Sequence, residues 1–169
     1  KYFQLSDIFG VDKEMGFSLS TDKYFKTAKT EHFLLEDFSA ESLNFGESQK
    51  SIYALEKETE ILEYSDGSVH LSAHDYGKGR GIYIAGLPYN LENTRLLLRA
   101  LLYSAHKEEE IRKWQCTNLS CELHAYPEKG IYAVVNNSKE QQSTDFYDGK
   151  GKQHSVTLAP GAMHWYKLN

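Results

Sequence analysis

The stretch from Tyr76 to Asn90 (YGKGRGIYIAGLPYN) constrains the fold more than any other. Gly77, Lys78 and Gly79 make a pivot, because glycine reaches turn conformations closed to other residues. Ile82, Tyr83, Ile84 and Ala85 follow as an unbroken apolar run, the mark of a strand covered on both faces. Gly86-Leu87-Pro88-Tyr89 turns the chain again. Asn90 then stands where a helix N-cap belongs, with Glu92 in the first turn, where the helix dipole favours a carboxylate. Leu91, Leu97, Leu98, Leu101, Leu102 and Ala105 recur at helical spacing as far as about Lys107. Burying six such side chains is worth roughly 10 kcal/mol at ~1.5–3 kcal/mol each, so the stripe is expected to lie against a sheet. A strand feeding a long amphipathic helix reads as the closing unit of an open α/β domain. The chain opens at Lys1 directly on an apolar, half-helical segment, so it is expected to be the tail of a larger protein.

Upstream, Phe3, Leu5, Ile8 and Phe9 approach helical spacing and Gly10 follows as a stop. A short strand is expected at Phe17 to Leu19, and a short buried element at His32 to Leu35. From Ser51 the pattern is strand-like. Ser65-Asp66-Gly67 signals a hairpin. Val69, Leu71 and Ala73 alternate with Ser68, His70, Ser72 and His74, the period of a one-sided strand. A meander of three or four strands is expected. The charged run from Lys107 to Lys113 (KEEEIRK) marks a boundary. Beyond it, five short strands with turns at Pro127, Asp148-Gly149 and Pro160-Gly161 spell a small antiparallel β-sandwich. The expected division is residues 1–112, an α/β remnant, and residues 113–169, a β-module.

Composition narrows the function classes. A net charge of −5 leaves no basic stripe and weighs against nucleic acid as a partner. No apolar run approaches the ~20 residues a bilayer-spanning helix needs. Two cysteines in 169 residues do not make a disulfide scaffold, and a cytoplasmic location is the simplest expectation.

No motif frames a reactive centre. Cys116, Cys121 and His124 form a C-x4-C-x2-H triplet, but a structural zinc wants four ligands. His70 and His74 lie four apart on one strand, ~13 Å from each other and on its solvent side, too far to share a metal. The glycines at 77, 79 and 81 stand between two strands, whereas a dinucleotide loop needs its glycines between strand and helix. The loop from Gly86 to Tyr89 does precede a helix, where an anion can bind, although a packed turn is the plainer reading. Asp66, Asp75, Glu92, Asp145 and Asp148 are scattered over turns, and nothing pairs two of them as acid and base. No nucleophile elbow frames Ser6, Ser104 or Ser138. Trp114 and Trp165 either line a sugar-binding face or plug the seam between the two pieces.

Several stretches together carry a resemblance. They are Phe3 to Glu14 (FQLSDIFGVDKE), Leu19 to Tyr24 (LSTDKY), Tyr76 to Tyr89, Arg95 to Leu97, and Tyr132 to Asn137 (YAVVNN). As a set they resemble the C-terminal part of the β-1,3-galactosyl-N-acetylhexosamine phosphorylases, also called lacto-N-biose or galacto-N-biose phosphorylases. The resemblance implies a catalytic (β/α)8 barrel first, then a glutamine-amidotransferase-like α/β domain and a small β domain. The fold expected here is therefore part of that α/β domain followed by a β-sandwich. The implied reaction is reversible phosphorolysis, in which phosphate displaces the hexosamine with inversion to give α-galactose 1-phosphate while one carboxylic acid protonates the leaving oxygen. That acid belongs to the barrel. No catalytic, cofactor-binding or metal-binding residue carries over onto this chain, and no cofactor is implied. The expected partners are the missing barrel and, through an open sheet edge, a second copy of the chain. Disaccharide and phosphate are expected as substrates of the full-length protein. Three roles compete: a bracing, non-catalytic tail, whether of this enzyme or of a galactosyl-rhamnose phosphorylase; a carbohydrate-binding module; and an independent hydrolase, for which no acid–base pair speaks.

Overall fold

The structure, a computed structural model, describes residues 1–16, 28–29, 31–38 and 42–168. The strand expected at Phe17 to Leu19 lies outside the described residues. The chain divides into two compact units, residues 1–106 and 107–169.

The first unit starts with a single helical turn, α1 (Ser6–Phe9), ended by Gly10 in the left-handed conformation. Strand β1 (Val11–Lys13) pairs antiparallel with β2 (Ile52–Ala54). Strands β3 (Glu60–Ser65), β4 (Ser68–Tyr76) and β5 (Gly79–Ile84) form a meander in that spatial order. Asp66 and Gly67 both have positive φ, +50° and +73°, the geometry of a tight hairpin turn that matches strand twist. Consecutive residues Ile61 and Leu62 are both buried, so both faces of this sheet are covered. One face joins Leu62, Leu71 and Ala73 to Leu34, Leu35, Leu96 and Ala100. The other joins Ile61 and Val69 to Val11, Ile52 and Ala54.

Gly81 is in this sheet for close approach, not for a turn. A Cβ at this position would stand 2.1 Å from the Ile8 carbonyl oxygen, so α1 rides directly on the β5 backbone. That covering corrects the one-sided reading of β4. His74 is buried, with Nδ1 3.3 Å from Thr59 Oγ1, and His70 is half-buried.

The helix after Asn90, α2 (Leu91–Ser104), differs most from its expectation. Asn93, Arg95, Leu96, Arg99 and Ala100 face inward. Of the six stripe residues, Leu91, Leu97, Leu98 and Leu101 are exposed, Leu101 by 62%, Leu102 is half-buried, and Ala105 is exposed. The physical reason is Asp37, whose carboxylate holds both arginines beneath the helix. Arg95 Nη1 and Arg99 Nε donate to Asp37 Oδ2, each at 2.8 Å.

The second unit holds β6 (Gln115–Cys116), β7 (Cys121–Tyr126), β8 (Ile131–Asn136), β9 (Gln142–Tyr147), β10 (Gln153–Leu158) and β11 (Met163–Lys167). They form two three-stranded sheets, ordered β10-β9-β6 and β11-β8-β7. Cys116, Cys121, Tyr132, Val134, Phe146 and Leu158 from both sheets make one core.

The expected fold class is thereby corrected. Every strand pair among the described residues is antiparallel, and no glutamine-amidotransferase-like α/β domain is formed. A doubly wound sheet needs crossover helices between parallel strands, whereas β3, β4 and β5 are joined by two-residue turns that permit only antiparallel pairing. No helix among the described residues is long and apolar enough to cross a membrane.

Candidate functional site

The second unit carries a cleft of about 390 Å³ lined by Trp114, Tyr132, Asp148, Gly149, His154 and Leu168, with Lys150, Lys152 and Lys167 as further lining residues. Trp114 precedes β6 with a left-handed backbone, φ +55°, a conformation costly for a bulky side chain. Its indole packs against the β9–β10 turn, where a Cβ at Gly149 would stand 2.1 Å from the ring. The Trp114 edge meets Tyr132 at 5.5 Å between centroids, and Tyr132 stacks on Tyr166 at 5.0 Å.

Asp148 organises the turn. Its Oδ1 accepts the backbone N–H of Lys150 and of Lys152 at 2.9 and 3.0 Å, and its Oδ2 accepts from His154 Nε2 at 3.0 Å. Burial pushes this carboxyl up, but the His154 bond and the two N–H donors outweigh it and hold the group below the usual carboxylate range. No Ser, Thr or Cys side chain lines the cleft.

A second hollow, about 790 Å³, lies in the first unit beside Phe45, Glu63, Ser65 and His70. Phe45 stacks on the His70 ring at 5.4 Å. His70 Nδ1 is 2.8 Å from Glu63 Oε2 and 3.1 Å from Ser65 Oγ. Both contacts fall on the same ring nitrogen. A Ser–His–acid relay needs one nitrogen for the nucleophile and the other for the acid, so this trio cannot run one.

The remaining residues singled out from sequence take structural roles. Cys116 and Cys121 are buried and not joined in a disulfide, and strand alternation sends His124 to the opposite side of β7, where it pairs with Glu122 at 3.0 Å. No group of three metal-ligating side chains occurs among the described residues. The α2 N-terminus is capped from within. Asn90 Oδ1 accepts from Asn93 N at 2.7 Å, while the Asn93 amide donates to Pro88 O and Asn44 O. Ser104 Oγ donates to Ala100 O, Ser138 Oγ to Asn136 Oδ1, and Ser6 Oγ is buried with no partner. Asp145 accepts from Gln153 and Ser155, and Asp75 is exposed, 3.8 Å from Arg80. Trp114 lies in the cleft, whereas Trp165 is exposed on β11 beside Tyr126. Sequence reasoning missed the Asp148–His154 pair, although the Asp-Gly turn signal stands six residues from His154.

A family model described as the lacto-N-biose phosphorylase central domain matches residues 1–109, and one described as the C-terminal domain matches residues 114–166. The chain belongs to the lacto-N-biose phosphorylase family. It is 42% identical to a 1,3-beta-galactosyl-N-acetylhexosamine phosphorylase of Lachnoclostridium phytofermentans, over 99% of this chain and 23% of the relative. A phosphorylase of the same description from Bifidobacterium longum is 32% identical over 98% of this chain and 26% of its own length. A D-galactosyl-beta-1->4-L-rhamnose phosphorylase of Lachnoclostridium phytofermentans is 26% identical over 84% of this chain and 19% of its own. The chain thus spans about a quarter of the length of the curated family members it matches.

Proposed function

We propose that this chain is the C-terminal region of a glycoside phosphorylase that cleaves β-1,3-galactosyl-N-acetylhexosamine reversibly with phosphate, giving α-galactose 1-phosphate. In this reading the bond is broken in the preceding part of the longer protein, and these residues brace that part. Identity of 42% to a hexosamine phosphorylase against 26% to a rhamnose phosphorylase favours the hexosamine acceptor. Two buried cysteines outside any disulfide, Cys116 and Cys121, suit a reducing, cytoplasmic setting.

The observation that carries the bracing role is the outward face of α2. Leu91, Leu97, Leu98 and Leu101 stand exposed there, with Leu87 and the 96% exposed Tyr89 just before the helix. Clustered exposed leucines mark an interaction surface, since leaving them in water forfeits burial energy. The occupant assigned to this face is the preceding part of the longer chain, because three quarters of the relatives' length lies outside the match.

The test mixes the chain with the N-terminal part of the 42% identical relative and follows co-elution on a sizing column. Wild type is expected to co-elute, and a Leu98→Glu, Leu101→Glu double variant is expected to elute alone. Equal behaviour of the two would remove the face from the interface, and self-association of the wild type would assign it to a second copy.

A further inference from the structure

We infer that the aromatic cleft of the second unit is a binding site for a phosphorylated monosaccharide. The chain is acidic overall, at −5, yet three of the nine residues lining this cleft are lysines and only Asp148 is a carboxylate. Asp148 is already committed to two backbone N–H groups and His154, which leaves little of its acceptor capacity for a ligand. The ammonium groups of Lys150, Lys152 and Lys167 have no hydrogen-bond or ion-pair partner among the described residues. Three unpaired cations facing one hollow suit a dianion, and a phosphate monoester provides one.

The rest of the lining suits a sugar ring. Half-buried Trp114 offers aromatic surface to the apolar C–H face of a pyranose, and Leu168 adds an aliphatic contact. Tyr132 is 5% exposed, and its hydroxyl finds no hydrogen-bond partner among the described residues. That hydroxyl is not among the fully enclosed polar atoms, so it reaches the cleft surface, where a sugar hydroxyl can hydrogen-bond it. The left-handed backbone of Trp114 is a second, separate sign, because strain of this kind gathers at ligand sites. The volume, about 390 Å³, lies near the lower end of small-ligand sites and fits one phosphorylated ring rather than an oligosaccharide. The site is read from its own lining, whereas the choice of galactose as the sugar rests on the phosphorylase reading.

The test is titration of the 169-residue chain, isotopically labelled for NMR, with galactose 1-phosphate, galactose and inorganic phosphate in separate runs. Galactose 1-phosphate is expected to shift the Trp114 and Gly149 resonances saturably. Galactose and phosphate alone are each expected to bind about tenfold or more weakly, each lacking one set of contacts. Lys150→Gln with Lys152→Gln changes two exposed side chains and is expected to weaken galactose 1-phosphate binding by about tenfold or more. Tyr132→Phe, which keeps the ring, is expected to weaken it by a smaller factor. No saturable shift up to about 10 mM would overturn the inference. Unchanged affinity in the lysine double variant would overturn it as well. Inorganic phosphate binding as tightly as galactose 1-phosphate would overturn the sugar half of the assignment.

Discussion

Arg99 donates from Nε to Asp37 Oδ2 at 2.8 Å across 62 residues of sequence, and this contact fixes which face of α2 points inward. Arg95 donates to the same oxygen, and Arg99 Nη1 also donates to Phe33 O at 2.7 Å, its guanidinium lying 4.6 Å over the Phe33 ring. A buried fork with this many partners outweighs the leucine stripe in orienting the helix.

Asp37→Ala leaves Arg95 and Arg99 buried with their common carboxylate gone. The expected loss is about 3–5 kcal/mol of stability in the first unit, because removing one partner strands the other's charge. Urea unfolding followed by Tyr fluorescence measures it, and a loss under about 1 kcal/mol would mean that solvent reaches the arginines.

The same cluster sets an acid limit. Burial pushes the Asp37 carboxyl up, but the hydrogen bonds from Arg99 and Arg95 prevail and hold it below the usual carboxylate range. A carboxyl depressed in the fold contributes stability above its unfolded value, near pH 4, and loses it as pH falls through the folded value. Stability of the first unit is therefore expected to drop below about pH 4, with Asp37→Asn showing a shallower slope there.

His32 adds a second pH dependence of the same sign. Burial lowers its pKa most, against the pull of Glu60, and Nδ1 accepts the Leu34 N–H at 3.1 Å. Protonation both charges a buried ring and destroys that acceptor. Stability is expected to be full above about pH 6.5 and to fall as pH passes down through the lowered folded value. His32→Asn retains an acceptor and is expected to flatten the curve over that window.

Tyr83 carries a buried hydroxyl without a partner, and burial pushes its pKa up to about 12. Tyr83→Phe removes an unpaired polar atom and nothing else. It is expected to leave stability unchanged or raise it by about 1 kcal/mol, read as a higher urea midpoint. A loss above about 1 kcal/mol would mean that the hydroxyl is satisfied in solution.

The parts legible in sequence were those set by neighbours along the chain. Asp66-Gly67 announced the β3–β4 hairpin, and Asn90 announced the start of α2. What stayed hidden depended on residues far apart. Hydrophobic periodicity counted the leucines of α2 and missed that Arg95 and Arg99 turn toward Asp37, more than fifty positions upstream. Period-two alternation in β4 placed His70 and His74 in solvent, because nothing local reveals that α1 and β2 cover that face. In the cleft Trp114 stood out by type, whereas Lys167 joins Lys150 and Lys152 only through the pairing of β8 with β11.

The most direct test of the bracing role is to supply the isolated 169-residue chain with lacto-N-biose and phosphate and to assay released galactose 1-phosphate. The account predicts no release above a protein-free control. Sustained release that scales with the amount of this chain would contradict it and move the chemistry into these residues.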